Sequence, residues 1–530
     1  MNKIFLLTSI AVIFIINNSF VQESYFKSRE QKDSQKSNVL FISIDDLNDW
    51  TGALKGHPQA ITPNLDKLCD QGLLFTNAHC SQAVGAASRN SLLSGIHPTT
   101  SGWYGSTSAM RETYDQVMQE NKMLPRHFKN NGYKTLAVGK IFHQGVTDYK
   151  DKIDDFWDEV APEYDVPKDL KDRGDGYGGT KFYPFPKNGS QIVNHYGEDF
   201  NSGHSLCWGA LDREDMPGGK MFDELISEWA VDKLSEDHDK PFFLAVGFVR
   251  PHVPYTAPKK YFDLYNPDEI IIPEVPDDEM ADVPMMGKSI AFGTIKIGDH
   301  YAVTNLSDSY WGEMVMAYLA CISFVDDQVG KVINTLNNSK YADNTIVVLW
   351  SDHGQHLGEK KHWRKQALWE ESTNVPLYFK IPGQKTKGLK SNRVVSLLDI
   401  YPTLIDLCGL SKVEKLDGVS LVPLIHNPNM EWGRAVLSTW YYKNHAVRTE
   451  NWRYIHYRDG SEELYNHKND PGEHINLAND PKYAEIIKEH KKWIPENDAL
   501  PAGTSEWKGD KLDRRIKEWI STDSIPAWLR

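Results

Sequence analysis

The chain alternates between short apolar runs and longer stretches whose apolar residues recur every three to four positions. Val39-Leu40-Phe41-Ile42-Ser43-Ile44 is almost unbroken and ends on two aspartates, Asp45 and Asp46. A run this short, without polar alternation, predicts a strand of a parallel sheet buried on both faces. Thr62-Pro63 then opens a helical stretch through Leu65, Leu68 and Cys69 to Gly72, with proline in the first turn, where its fixed φ and missing N–H are tolerated. The rhythm continues with a predicted helix over 122–130, a strand from Lys134 to Val138, a helix over 222–235 and a strand from Phe242 to Val246. Over residues 308–337, Tyr310, Met314, Ala317, Tyr318, Cys321, Ile322, Val325, Val329 and Val332 fall at helical spacing, and Thr345 to Leu349 is another buried strand. Such alternation predicts an α/β fold, a mainly parallel sheet covered by helices on both faces.

Two regions break the rhythm. Residues 150–220 are rich in Gly, Pro, Asp and aromatics and read as a long loop insertion, a kind of segment that usually carries function. Its aromatics, Phe156, Trp157, Tyr164, Tyr177, Phe182, Tyr183, Phe185 and Trp208, fit either sugar stacking or a local core. After residue 430 the pattern changes to short strands, Ala435 to Thr439, Ala446 to Thr449, Trp452 to Tyr457 and Glu463 to Tyr465, with a helical stretch over 481–494. This predicts a main domain over 38–430 and a smaller antiparallel domain over 431–530. At the start, Lys3 precedes an apolar run from Ile4 to Ile16. As a helix it would span about 20 Å, short of the roughly 30 Å hydrocarbon core, so residues 1–20 are expected to be a signal peptide and 21–37 a polar, disordered leader. Export to the periplasm or beyond follows.

Charge narrows the partners. The formal net charge of −14 argues against nucleic acid or an anionic membrane surface. A polyanionic ligand would need positive charge concentrated in a pocket. The five cysteines are scattered without CxxC spacing, which leaves no case for zinc or redox chemistry, although one pair could bridge in an exported protein.

Candidate chemistry gathers at strand ends, where open α/β sheets bind ligands. Asp45 and Asp46 follow the first strand, and Asp352-His353-Gly354 follow the strand ending at Trp350. Adjacent carboxylates repel, and a hard divalent cation such as Ca²⁺ is the simplest compensation. The alternative is that each aspartate caps its own local turn.

Several ordered blocks resemble type I sulfatases: Ile44-Asp45-Asp46-Leu47-Asn48, Thr62-Pro63-Asn64-Leu65-Asp66, Phe75-Thr76-Asn77-Ala78, Gly132 through His143, Pro241 through Pro254, and Ser351-Asp352-His353-Gly354 with Leu357-Gly358-Glu359. The iduronate-2-sulfatase branch is the nearest resemblance, because His353 stands where other members carry asparagine. The resemblance spans about residues 38–480 and implies an alkaline-phosphatase-like fold, a large mixed and mainly parallel sheet between helices with a smaller antiparallel sheet behind it. It implies a sulfated carbohydrate as ligand, one Ca²⁺ on Asp45, Asp46, Asp352 and His353, and sulfate-binding and acid–base roles for Ser88, Arg89, Lys140, His143, His252 and Lys365. Such cations would stabilise charge developing on sulfate oxygens, and a histidine could protonate the leaving alkoxide.

One position departs. The family motif is Cys-x-Pro-Ser-Arg, or Ser for Cys, whose first residue becomes a formylglycine that attacks sulfur. Here Gly85-Ala86-Ala87-Ser88-Arg89 puts glycine at the nucleophile and alanine at the proline. Glycine has no side-chain atom to oxidise, so the covalent route is expected to be absent. Hydrolysis by a slow, non-standard route, non-catalytic binding of sulfated glycan, and hydrolysis of phosphate esters or phosphonates are the expectations left open.

Overall fold

The computed structural model describes residues 36–105, 123–143, 153–162, 186, 188–192, 206–502 and 509–530. The expected signal peptide and nearly all of the expected leader lie outside these residues. Residues Asn38–Arg530 form one compact unit. Among the described residues no helix is long and apolar enough to cross a membrane.

Among the described residues, nine strands build the main sheet: β1 (Asn38–Asp45), β2 (Leu73–His79), β3 (Lys134–Gly139), β4 (Glu159–Val160), β5 (Phe242–Pro251), β6 (Thr345–Ser351), β7 (Asn374–Lys380), β8 (Leu389–Ser391) and β9 (Val395–Ser396). Their order is β8-β2-β7-β6-β1-β5-β3-β4, with β9 also on β2. Every pairing is parallel except those of β7, which runs against both β6 and β2. Every residue of β1, β5 and β6 is buried, as their unbroken apolar runs require of strands covered on both faces.

Side-chain alternation splits β1 between two cores. Leu40, Ile42 and Ile44 face α1 (Pro63–Gln71), α4 (Phe222–Ser235) and α5 (Tyr310–Asn338). Val39 and Phe41 face α2 (Gly85–Ser94), α3 (Leu124–Asn130) and α6 (Ile400–Cys408). The predicted Thr62 start of α1 is correct, but its cap is tertiary: Asp326 on α5 accepts from the backbone N–H groups of Asn64 and Leu65 at 3.0 and 2.8 Å.

The C-terminal segment forms the expected antiparallel sheet, β10 (Val436–Thr439), β11 (His445–Arg448), β12 (Trp452–His456) and β13 (Glu462–Asn466). Ala446, Ile455 and Tyr465 pack with Met286, Ile290 and Trp519, while Val447, Tyr454 and Leu464 pack with Ile487. The helix Asp510–Thr522, which carries Trp519, is missing from the sequence reading. All five cysteines are buried, and no two of them form a disulfide. Within the expected insertion, the described segment Leu206–Leu211 is a strand pairing with Ser190–Ile192 and Tyr255–Pro258. Phe156, Trp157 and Trp208 are buried core residues. Tyr164, Tyr177, Phe182, Tyr183 and Phe185 lie outside the described residues.

Candidate functional site

Sheet register creates the site. β1 and β6 are parallel neighbours with Ile44 opposite Ser351, so Asp45 and Asp352 leave the sheet side by side. Asp46 adopts a left-handed φ of 61° as the chain turns away, and its N–H donates to Asp352 Oδ1 at 3.1 Å. The turn is pinned on both sides: Leu47 N–H donates to Ser351 Oγ at 2.9 Å, and Tyr318 Oη on α5 donates to the Asp46 carbonyl at 2.6 Å.

Four buried side chains converge there. One ligand atom each from Asp45, Asp46, Asp352 and His353 lie within 4.8 Å of one another. His353 Nδ1 donates to the Gly354 carbonyl at 3.0 Å, which turns Nε2 toward the carboxylates. Nε2 lies 3.5 Å from Asp46 Oδ1 and 3.6 Å from Asp352 Oδ2 and is a buried atom with no hydrogen-bond partner. A buried, unsatisfied imidazole nitrogen facing carboxylates is what a cation ligand looks like without its ion. The residues therefore fit a divalent cation.

Basic groups surround the carboxylates. Arg89, fully buried on α2, donates through Nε to Asp352 Oδ2 at 2.9 Å and through its terminal nitrogen to Asp45 Oδ1 at 3.2 Å. Lys140, one residue past β3, pairs with Asp45, and Lys365 Nζ reaches both Asp46 oxygens at 2.7 and 2.8 Å. Burial pushes the Asp45 carboxyl up, but Lys140 and Arg89 hold it well below the usual range. Asp46 is raised, because burial outweighs Lys365.

A cavity of about 260 Å³ opens onto this cluster, lined in part by Gly85, Lys140, His143, His252 and Lys365. Burial, reinforced by the lysine charges, pushes His143 down to about 3 and His252 well below its ordinary value. Both rings are therefore neutral. Gly85 is the first residue of α2 and is buried. A Cβ built there would stand 2.9 Å from Asp352 Oδ2, 3.3 Å from His143 Cδ2 and 3.6 Å from His353 Nε2. Residue 85 thus faces the carboxylates. Its φ is not left-handed, so the backbone does not require glycine.

Ser88 and Arg89, expected at the sulfate, are not among the residues that line the cavity. Ser88 Oγ donates to the Asp352 carbonyl, and Arg89 lies beneath the carboxylates rather than on the cavity wall. Both brace the cluster from behind. Conversely, the sequence reading missed the far wall, Thr294, Asp299, His362, Arg364 and Gln366. Asp299 accepts from the N–H groups of Thr294 and Ile295 at 2.9 and 2.7 Å and pairs with Arg364 at 2.9 Å. The polar run Arg364-Lys365-Gln366 was a signal for that wall; nothing local marked residues 293–299.

Comparisons with known proteins agree with this geometry. The sulfatase family profile matches residues 37–410, and the profile of the C-terminal region of N-sulphoglucosamine sulphohydrolase matches 358–499. A sulfatase of Formosa agariphila is 36% identical over 475 residues, covering 89% of each chain. Human iduronate 2-sulfatase is 31% identical over 417 residues, 70% of this chain and 69% of the human one. Among solved structures, a 2-O GAG sulfatase matches with a TM-score of 0.62 at 24% identity, covering 92% of this chain and 94% of its own. A phosphonate monoester hydrolase of Agrobacterium radiobacter matches at 0.65 with 21% identity, covering 91% and 96%. These two likenesses concern the fold alone. The chain belongs to the sulfatase family.

Proposed function

We propose that this protein is exported and binds the sulfate ester of a carbohydrate in the cavity beside one Ca²⁺, without hydrolysing it at ordinary enzymatic rates. The observation that carries this reading is Gly85: it faces Asp352, His143 and His353, where the family's nucleophile belongs, and offers no reacting atom. Neighbouring nucleophiles do not replace it. Ser88 Oγ is committed to the Asp352 carbonyl, and burial pushes the thiol of Cys80 far up. The recognition groups persist. Lys140 and Lys365 present positive charge to the cavity, and His143 and His252 present neutral rings for polar contact with sulfate or sugar oxygens. The carbohydrate assignment draws on the relatives that act on uronate and GAG sulfates. A bound cation on Asp45, Asp46, Asp352 and His353 would supply electrostatic attraction for a sulfate oxygen.

The test pairs binding with turnover. Calorimetry against sulfated oligosaccharides should detect binding, and sulfate release from them and from an aryl sulfate should stay at background. Gly85→Cys with Ala87→Pro, co-produced with a formylglycine-generating enzyme, should gain turnover. Ala87 precedes the first helical bond of α2, Ser88 N–H to the Val84 carbonyl, so proline is tolerated there. Wild-type turnover at ordinary rates would refute the non-catalytic reading, and failure to bind any sulfated glycan would refute recognition.

A further inference from the structure

The far wall of the cavity is also one wall of a smaller recess behind it, since Gly293, Thr294, His362 and Gln366 line both. The recess, of about 30 Å³, is closed by Trp440 and Tyr441, which follow β10, and by Lys511, Leu512 and Arg515 on the helix Asp510–Thr522. That helix lies past residue 499, where the family profiles stop matching. In a protein of net charge −14, this recess is lined by two cations and, among the described residues, by no aspartate or glutamate. Its aromatic side is rigidly set. Trp440 and Tyr441 are buried with ring centroids 4.5 Å apart, and Tyr441 holds a left-handed φ of 55°, a strained conformation for a bulky residue.

Arg515 gives the recess its chemistry. Its guanidinium carbon lies 4.6 Å from the Phe292 ring centre and 6.0 Å from that of Trp519. Its terminal nitrogens donate to the Ser289 carbonyl and, at 2.9 Å, to the Gly293 carbonyl. A guanidinium has five N–H donors, so those two bonds leave others over. No aspartate or glutamate among the described residues forms an ion pair with it, and burial lowers its pKa by more than Tyr441, Asp299 and Glu518 raise it. Asp299 is committed to Arg364 and to the N–H groups of Thr294 and Ile295. Capping the carbonyls after the helix Met285–Ala291 would explain the two bonds of Arg515, but not a second cation, Lys511, on the same space. A fixed, partly buried cation without a carboxylate is completed by an anion from outside. Because one water needs roughly 10–15 Å³, a volume of about 30 Å³ takes a small substituent and not a sugar ring. We propose that the recess receives a second anionic group, a carboxylate or a sulfate, of the same ligand whose sulfate ester occupies the main cavity, with Arg515 and Lys511 as its partners. The inference rests on the sulfate-ester reading of that cavity and adds to it a requirement for two anions on one ligand.

The experiment is calorimetry on the full chain in Ca²⁺ with three short oligosaccharides, carrying one sulfate, two sulfates, or one sulfate and one carboxylate. At least one doubly anionic ligand should bind about tenfold or more tighter than the singly sulfated one, and which of them does so tells carboxylate from sulfate. Lys511→Gln with Arg515→Gln should cut that ratio at least about fivefold, and Arg515→Lys, which keeps the charge, should preserve more of it than Arg515→Gln. Reading a ratio removes any general loosening of the 293–299 segment, because all three ligands share the main cavity. If the double variant misfolds, Lys511→Gln alone decides, with a fall of about threefold expected. Equal affinity for singly and doubly anionic ligands, or a ratio unmoved by the variants, would overturn the recess and leave the main cavity's reading intact. Failure of all three ligands to bind would sink that reading and the recess with it.

Discussion

Replacing Arg89 with methionine tests whether the carboxylate cluster depends on a cation buried beneath it. The guanidinium is fully buried and donates to Asp352 at 2.9 Å, Asp45 at 3.2 Å, Ser43 Oγ at 3.2 Å and the Ile141 carbonyl at 3.3 Å, with a further bond to the Lys140 carbonyl. Methionine keeps much of the apolar stem but leaves Asp352 without its cationic partner and Asp45 with Lys140 alone. Removing one member of a buried charge network costs about 3–5 kcal/mol, against about 1 kcal/mol or less for an exposed pair. The assay is urea unfolding of chelator-stripped protein, comparing midpoints at matched slopes. Adding Asp352→Asn to the Arg89→Met variant should recover about 1–3 kcal/mol, since it deletes the stranded charge. A loss below about 1 kcal/mol, or strictly additive costs, would refute the argument that Arg89 neutralises this cluster.

Two further outcomes follow. Asp49 and Glu359 have folded pKa values raised to about 6 and about 7, so the folded state keeps protons that the unfolded chain releases near pH 4. Their contribution to the stability of chelator-stripped protein should therefore fall as pH rises from about 4.5 to 7, opposite in sign to that of the buried neutral histidines, so Asp49→Asn with Glu359→Gln should tilt the dependence of the midpoint on pH upward relative to the wild type. Asp45, held well below its ordinary value, acts only beneath this window. Differential scanning calorimetry of both proteins across that range checks the sign, and a wild-type-minus-variant difference in midpoint that grows with pH contradicts it. Separately, Arg453 on β12 is fully buried and bonds Glu473 at 2.6 Å, the Leu368 carbonyl at 2.8 Å and Thr373 at 3.0 Å, joining the small sheet to the segment before β7. Arg453→Met should cost about 3–5 kcal/mol and open the 436–466 region to proteolysis first; wild-type protease resistance would show that this link carries little.

The fold was legible wherever apolar runs were long and two-sided. β1, β5 and β6 announced themselves because nothing polar interrupts them, and α5 because its apolar residues hold helical spacing over its 29 residues. The one inverted strand was not legible as such, since Asn374–Lys380 carries no mark of direction; its sense is fixed by β2 and β6 on either side. At the site, the acidic pairs could be seen in sequence because strand tips concentrate ligands. What the cations do there could not. Arg89 and Lys140 both follow from motif position, yet burial separates them, the first behind the carboxylates and the second on the cavity wall. The 293–299 strap was invisible because its role depends on Asp299 folding back onto its own backbone and onto Arg364, residues 65 positions apart.

Charge balance carries the last prediction. Three carboxylates, Asp45, Asp46 and Asp352, face three cations, Arg89, Lys140 and Lys365, so the cluster alone is formally neutral and gives an anionic ester little net attraction. A divalent ion on the carboxylates and His353 turns the same site positive. Cation and sulfate ester should then bind cooperatively, and because linkage is reciprocal each must tighten the other by one factor, expected to be at least about tenfold within the usual 1–3 kcal/mol of coupling. Calorimetric titration of a sulfated oligosaccharide with Ca²⁺ and with chelator measures that factor, and titration of Ca²⁺ with and without saturating oligosaccharide must return the same one. On the proposed reading of Gly85 the comparison is clean, since no covalent turnover would consume the ligand during the measurement. Equal oligosaccharide affinity in the two conditions would mean that the lysines alone capture the ester, and that the carboxylate cluster serves only to hold them in place.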